Sequence, residues 1–179
     1  DDKSVVAMFH GRLDAEKGLD VLIEAMSKLQ DIDLHLILIG TGHDDYVAAL
    51  KQKIADGGLT GRVSFAGFRN PVLPCLGSCD FGLLPSIVRE GYPLSPMEYM
   101  SQGRCVIATD NGGQKEYLTS GDNALLVKPG DADMLADAIR RLATDKALRD
   151  KLSTKAYADF SQKMSYNKFI ERIEEAYEH

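Results

Sequence analysis

Six short apolar runs constrain this chain most: residues 4–11 (SVVAMFHG), 33–40 (DLHLILIG), 62–68 (RVSFAGF), 81–84 (FGLL), 105–109 (CVIAT) and 124–127 (ALLV). Runs of this length, bounded by turn residues, suit strands covered on both faces. Segments of helical periodicity lie between them. Leu19, Leu22, Ile23, Met26 and Leu29 mark the first, and a second runs from Asp44 to Ala55 and is closed by Gly57-Gly58. Asn70-Pro71 opens a short helix through Leu76, and a turn at Asp110 to Gly113 leads into another at Lys115 to Leu118. Behind Pro129-Gly130-Asp131, the residues Met134, Leu135, Ala138, Ile139 and Leu142 form one apolar face. Strands that alternate with helices pair in parallel through right-handed crossovers. The pattern predicts an α/β chain: a Rossmann-like three-layer α/β/α sandwich around a six-stranded parallel sheet, one domain over residues 1–179.

Open sheets of this kind bind ligands beyond the carboxyl ends of their strands. Between the fourth and fifth runs lies PSIVREGYPLSPMEYMSQG, residues 85–103, with Glu90 and Glu98 separated by seven residues. Glu90 falls in a loop broken by Gly91 and Pro93, and Glu98 lies just inside the helix that follows. Ionised carboxylates only accept hydrogen bonds, so hydroxyl-bearing groups of one ligand are natural partners for both. Other readings stand beside this one. Glu90 is equally a solvated loop charge next to Arg89. Ser95-Pro96-Met97-Glu98 has the form of a capping box, with Ser95 at the N-cap, Pro96 first in the helix and Glu98 reaching back.

The loop after the first run carries Gly11, Arg12, Lys17 and Gly18 directly ahead of a helix N-terminus, where free amides favour an anion. Arg12 offers a planar fork of donors and Lys17 a point charge, which together suit phosphate oxygens. Asp14 and Glu16 in the same loop allow the alternative of exposed, mutually paired charges. After the second run, Gly40-Thr41-Gly42 is a tight turn that lacks the third glycine of a dinucleotide fingerprint. His35 reads as a satisfied strand histidine and His43 as a polar cap.

A net charge of −6 without a basic run argues against a nucleic-acid surface. No apolar run reaches membrane-spanning length, and the first residues do not resemble a signal peptide, so a cytoplasmic location is expected. Cys75, Cys79 and Cys105 have no metal-ligand spacing and read as reduced, mostly buried thiols. Residues 146–179 read as helical, with Leu148, Leu152, Tyr157 and Phe160 on one face. Phe169, Ile173 and Tyr177 follow at four-residue steps on a last helix.

Taken in order, GRLDAEKG, RVSFAG, EGYPLSPME and NGGQKEYL resemble the carboxyl-terminal, donor-binding half of the retaining GT-B glycosyltransferases, the group 1 family with two glutamates at this spacing. The resemblance spans nearly the whole chain. It implies one half of a GT-B fold, with a nucleoside-diphosphate sugar as donor, UDP and GDP being the expected carriers. It assigns the diphosphate to Arg12 and Lys17, beside Gly11, and the sugar hydroxyls to Glu90. Backbone amides at Gly91, Tyr92 and Leu94 would lie near the phosphate, Pro93 having none to give, and Glu98 would take the ribose hydroxyls. The base would rest against the backbone near Phe68 and Arg69. Arg12, Lys17 and Glu90 carry the expected catalytic roles, no obligatory cofactor or metal is implied, and transfer is expected to retain anomeric configuration.

The resemblance also implies an amino-terminal acceptor domain of similar size that these 179 residues do not contain. The chain is therefore expected to bind donor but transfer nothing alone, with any peripheral membrane association left to that other domain. Three other readings compete: a degenerate binding module, a sugar-nucleotide epimerase of the same architecture, and an NAD-dependent oxidoreductase. The last needs an acidic residue where the chain has Gly40.

Overall fold

The structure is a computed structural model that describes residues 4–164, 167, 168, 170, 174 and 177. Its strands are β1 (Val5–His10), β2 (Leu34–Ile39), β3 (Val63–Gly67), β4 (Phe81–Leu84), β5 (Val106–Thr109) and β6 (Ala124–Val127). All pair in parallel in the order β3-β2-β1-β4-β5-β6, with Ala7 beside both Leu36 and Phe81 at the centre. Among the described residues these α-helices connect or flank them: α1 (Leu19–Ser27), α2 (Asp44–Asp56), α3 (Leu73–Leu76), α4 (Leu94–Ser101), α5 (Ala132–Thr144) and α6 (Lys146–Asp159). This is the expected Rossmann-like three-layer sandwich.

Successive side chains of a strand point to opposite faces, and here both faces are apolar. Ala7, Phe9, Leu36, Leu38, Phe81, Leu83 and Ile107 point to one layer, where they meet Leu22, Ile23 and Met26 of α1, Leu50 of α2 and Ile139 of α5. Met8, Ile39, Leu84, Val106 and Ala108 point to the other, against Leu76, Tyr99, Met100 and Ala156 from α3, α4 and α6. Full burial of each large apolar side chain stabilises by about 1.5–3 kcal/mol, so the two layers carry most of the fold. The helix ends are chemically marked. Asp131 accepts from the Met134 amide at 2.8 Å to start α5, and Asp145, which closes α5, accepts from the Leu148 amide at 2.9 Å to start α6.

Several expectations require correction. Met134 lies off the buried face of α5, and its sulfur accepts from the Lys128 amide instead. Tyr157 is exposed, because Leu152 and Ala156 carry the buried stripe of α6. The helix expected at 115–118 is a 3-10 turn at Gly113–Glu116. His43 occupies the N-cap of α2 without a side-chain cap bond. Phe169 and Ile173 lie outside the described residues, and Tyr177 is exposed. Cys79 and Cys105 are buried free thiols and Cys75 is half-buried.

The predicted capping box does not form. α4 begins at Leu94 with Pro93 in extended conformation before it (φ −69°, ψ 131°), so Glu98 lies too deep in the helix to reach a cap amide. Pro96 is tolerated inside the first turn because the amide it lacks would have no intrahelical partner there. What sets the start is tertiary: the Tyr117 hydroxyl donates to the Pro93 carbonyl at 2.6 Å.

The Tyr99 ring lies flat on β4 at Gly82, where an added Cβ would sit 2.3 Å from the ring. Gly82→Ala is expected to destabilise the fold by about 1–3 kcal/mol through overpacking, read as a lower urea midpoint at unchanged slope.

Candidate functional site

The strand order reverses between β1 and β4, so the loops that leave these two neighbours diverge and open a crevice at the carboxyl edge. The β1 loop folds as a 3-10 turn at Ala15–Lys17, in which Asp14 accepts from the Lys17 amide at 3.1 Å. Gly18 then starts α1 in the left-handed region (φ 71°). Its α-carbon lies so close to the β4 loop that a Cβ would come within 2.0 Å of the Pro85 carbonyl oxygen. The Ile87 amide also donates to the Glu16 carbonyl at 2.9 Å, tying the two loops together.

Across this junction Lys17 Nζ lies 2.6 Å from Glu90 Oε1, with only 22% and 15% of the two side chains exposed. The Ser86 hydroxyl donates to the same oxygen at 2.6 Å. Burial pushes the Glu90 carboxyl up, but the hydrogen bonds from Lys17 and Ser86 outweigh it and hold the group below the usual carboxylate range. Oε2 of Glu90 carries no protein partner in these bonds. Arg12 behaves differently. It is 65% exposed and pairs with Asp14 and, at 3.5 Å, with Glu16.

The Glu90 loop is held from behind by residues 109–117. Asn111 Nδ2 donates to the carbonyls of Ser86, Ile87 and Val88 at 3.0–3.2 Å, and the Thr109 hydroxyl donates to Ser86 at 2.8 Å. The Gly113 amide donates to the Glu90 carbonyl at 3.0 Å, and a Cβ there would lie 1.8 Å from the Gly91 carbonyl oxygen. The Asn-Gly-Gly sequence thus supplies a donor fork and a backbone without side chains against which the loop sits. Tyr92 packs its ring 5.2 Å from that of Tyr117.

On the other side of the crevice a cavity of about 360 Å³ is lined by His10, Gly11, Arg12, Thr41, Phe68, Arg69 and Val72. Phe68 is 69% exposed at its edge. The Gly40-Thr41-Gly42 turn reaches this wall because the Leu13 amide donates to the Thr41 carbonyl at 2.8 Å. Glu98, on α4, directs Oε2 to His10 Nε2 at 2.6 Å. A larger cavity, about 680 Å³, is lined by Tyr92, Met97, Tyr117, Asn123 and Lys155, and of the predicted residues only Tyr92 belongs to it.

The structure therefore gathers Gly11, Arg12, Phe68 and Arg69 around one cavity and joins Lys17 to Glu90 beside it. Gly91 and Tyr92 rest on Gly113 and Tyr117, and Leu94, 64% exposed, is the first residue of a helix whose N-terminus has no side-chain cap bond. Sequence reasoning assigned no role to His10 or Ser86, and read Asn111, Gly112 and Gly113 only as a turn and as part of the motif NGGQKEYL. Of these two, His10 left a signal, as a polar residue ending an apolar strand. Among the described residues no three His, Cys, Asp or Glu side chains group to hold a metal ion, and no helix is long and apolar enough to cross a membrane.

Residues 4–145 match the model of the family described as glycosyl transferases group 1. The chain is 32% identical over 154 residues to the lipopolysaccharide core biosynthesis glycosyltransferase LpsE of Rhizobium meliloti, covering 85% of this chain and 43% of that protein. It is 33% identical to the amylovoran biosynthesis glycosyltransferase AmsK of Erwinia amylovora, covering 91% and 43%. Among solved structures, Anabaena HepE in complex with UDP superposes with a TM-score of 0.93 at 29% identity, over 98% of this chain and 49% of that one. The carboxyl-terminal domain of LpcC, a group 1 glycosyl transferase of Francisella tularensis, superposes with a TM-score of 0.83 at 27% identity, over 90% of this chain and 87% of that one. The chain thus spans about half the length of the curated relatives it matches.

The Lys17–Glu90 pair generates a pH signature. A carboxyl whose folded pKa is depressed stabilises the fold above its unfolded pKa, and that contribution is lost as pH falls through the folded value. Lys17→Met is expected to cost about 1–3 kcal/mol at pH 7, the gap to the parent closing below roughly pH 4, as read by chemical unfolding across pH.

Proposed function

The chain belongs to the glycosyl transferases group 1 family, and from that premise we propose that it is the donor-binding domain of a glycosyltransferase and holds a nucleoside-diphosphate sugar in the crevice between the β1 and β4 loops. The observation that carries this reading is the Lys17–Glu90–Ser86 cluster at the strand-order reversal, with the cavity of Gly11, Arg12, Phe68 and Arg69 beside it. The HepE complexes with UDP and with UDP-glucose support a uridine carrier.

The geometry suggests a division of labour. An ammonium has three donors, and Lys17 commits one to Glu90, leaving two for a diphosphate in the crevice. Arg12 is itself exposed and is held by half-buried Asp14 and exposed Glu16, so it can exchange these partners for the same anion. With the uncapped start of α4 at Leu94, these cations stabilise the charge that develops on the leaving diphosphate. Glu90 Oε2 accepts from sugar hydroxyls while Oε1 stays with Lys17 and Ser86, which fixes the sugar relative to the phosphate. Glu98 takes the ribose hydroxyls, and the base lies along the backbone at Phe68 and Arg69.

We read the transfer as retaining, as the family resemblance implies, and as needing no metal ion, because Arg12 and Lys17 would supply the positive charge at the diphosphate. The acceptor site is assigned to the remaining half of a longer protein. Calorimetry of the chain against UDP, GDP, ADP and NAD is expected to show preference for UDP, weakened about 10–100-fold in Arg12→Ala and in Lys17→Ala. Preference for NAD would sink the donor reading. No sugar transfer by the chain alone is expected, and product analysis of the longer protein separates transfer from epimerisation.

A further inference from the structure

β1 is apolar from Val5 to Phe9 and then ends in a histidine whose side chain is only 10% exposed. His10 lines the cavity shared with Gly11, Arg12 and Arg69. Its Nε2 meets Glu98 Oε2 at 2.6 Å, whereas its Nδ1 is buried with no partner among the described residues. A buried N–H without an acceptor is costly, so the ring carries its proton on Nε2 and donates it to the carboxylate. The ring is also fixed from the side. It meets Tyr99 of α4 edge-on at 5.0 Å and 72°, and the Tyr99 hydroxyl donates to the Met8 carbonyl at 2.7 Å, which ties α4 to the strand that carries His10.

Glu98 is more exposed, at 36%, and its backbone is set by α4, on the opposite side of the strand-order reversal from β1. A carboxylate on a flexible side chain at that exposure samples several rotamers unless something holds it. His10 is the group that does so here, engaging Oε2 and leaving Oε1 outside this bond.

We infer that His10 is a positioning residue that orients Glu98 toward the vicinal hydroxyls of the nucleotide's ribose, and thereby sets a preference for ribose over 2′-deoxyribose at this site. The inference rests on the donor reading given above and adds a residue to it. His10 touches no ligand hydroxyl itself and acts through Glu98. A residue serving only the stability of the fold would weaken both nucleotides alike and leave their ratio unchanged.

The test compares UDP with 2′-deoxy-UDP by calorimetry on the chain and on His10→Phe, His10→Gln and Glu98→Gln. The parent is expected to favour UDP by about tenfold, the worth of a hydrogen bond to a charged group, with His10→Phe reducing the preference to about twofold and His10→Gln, which keeps a donor, restoring most of it. An unchanged ratio in His10→Phe beside a lowered ratio in Glu98→Gln overturns the inference alone. An unchanged ratio in Glu98→Gln overturns the ribose role of Glu98 and the inference with it. Independently of nucleotide binding, long-range proton–nitrogen NMR of the parent chain is expected to show His10 protonated on Nε2, and a proton on Nδ1 overturns the inference.

Discussion

Between β1 and β4 two adjacent parallel strands send their connections in opposite directions, and the gap that results cannot be filled by either crossover. The residues proposed to hold the donor are arranged around that gap. The β1 loop reaches it from one side with Lys17 and Arg12, and the β4 loop from the other with Ser86 and Glu90. The close approach at Gly18 and Pro85 brings the loops together. An ion pair so little exposed survives only with correct geometry, since each partner alone would be a desolvated charge. The pair therefore reports that the two loops are held in place against each other.

What holds them is mostly backbone chemistry. Asn111 donates to three successive carbonyls of the β4 loop, and Gly113 lets the chain lie directly against Gly91. An irregular segment such as 85–93 would otherwise leave its carbonyls to solvent or unpaired. Residues 109–117 thus act as a rigid backing for the segment that carries Glu90, and Tyr117 extends the backing to the start of α4 through the Pro93 carbonyl. The loop is fixed by groups that lie behind it, which is how such a segment reaches a defined geometry without regular secondary structure.

The layers of the sandwich were legible because strand and helix periodicities differ and each run here obeys one of them. Leu19 to Leu29 and Leu135 to Leu142 could only be buried helix faces, and Phe81 to Leu84 only a strand covered twice. Positions that depend on distant partners were not legible. Ser95 and Glu98 satisfy the local pattern of a capping box, yet the helix starts earlier because Tyr117 captures Pro93 from the segment behind the loop. Met134 and Tyr157 fit their helical stripes by spacing alone, but other residues of α5 and α6 face the sheet. The pairing of Arg12 with Asp14 and Glu16 was visible as a local alternative, whereas the 2.6 Å approach of Lys17 to Glu90, 73 residues away, was not.

By itself the sequence determined the alternation of elements, the parallel sheet and the carboxyl edge on which a site would form, since hydrophobic period and turn chemistry are local properties. It also placed Arg12, Lys17, Glu90 and Glu98 on that edge, through the loops that carry them. Only the tertiary structure decided their partners: Lys17 with Glu90, Glu98 with His10, and Asn111 with the carbonyls behind the loop. Those pairings depend on strand order and on how closely two backbones approach, and neither is encoded in the spacing of residues along one segment.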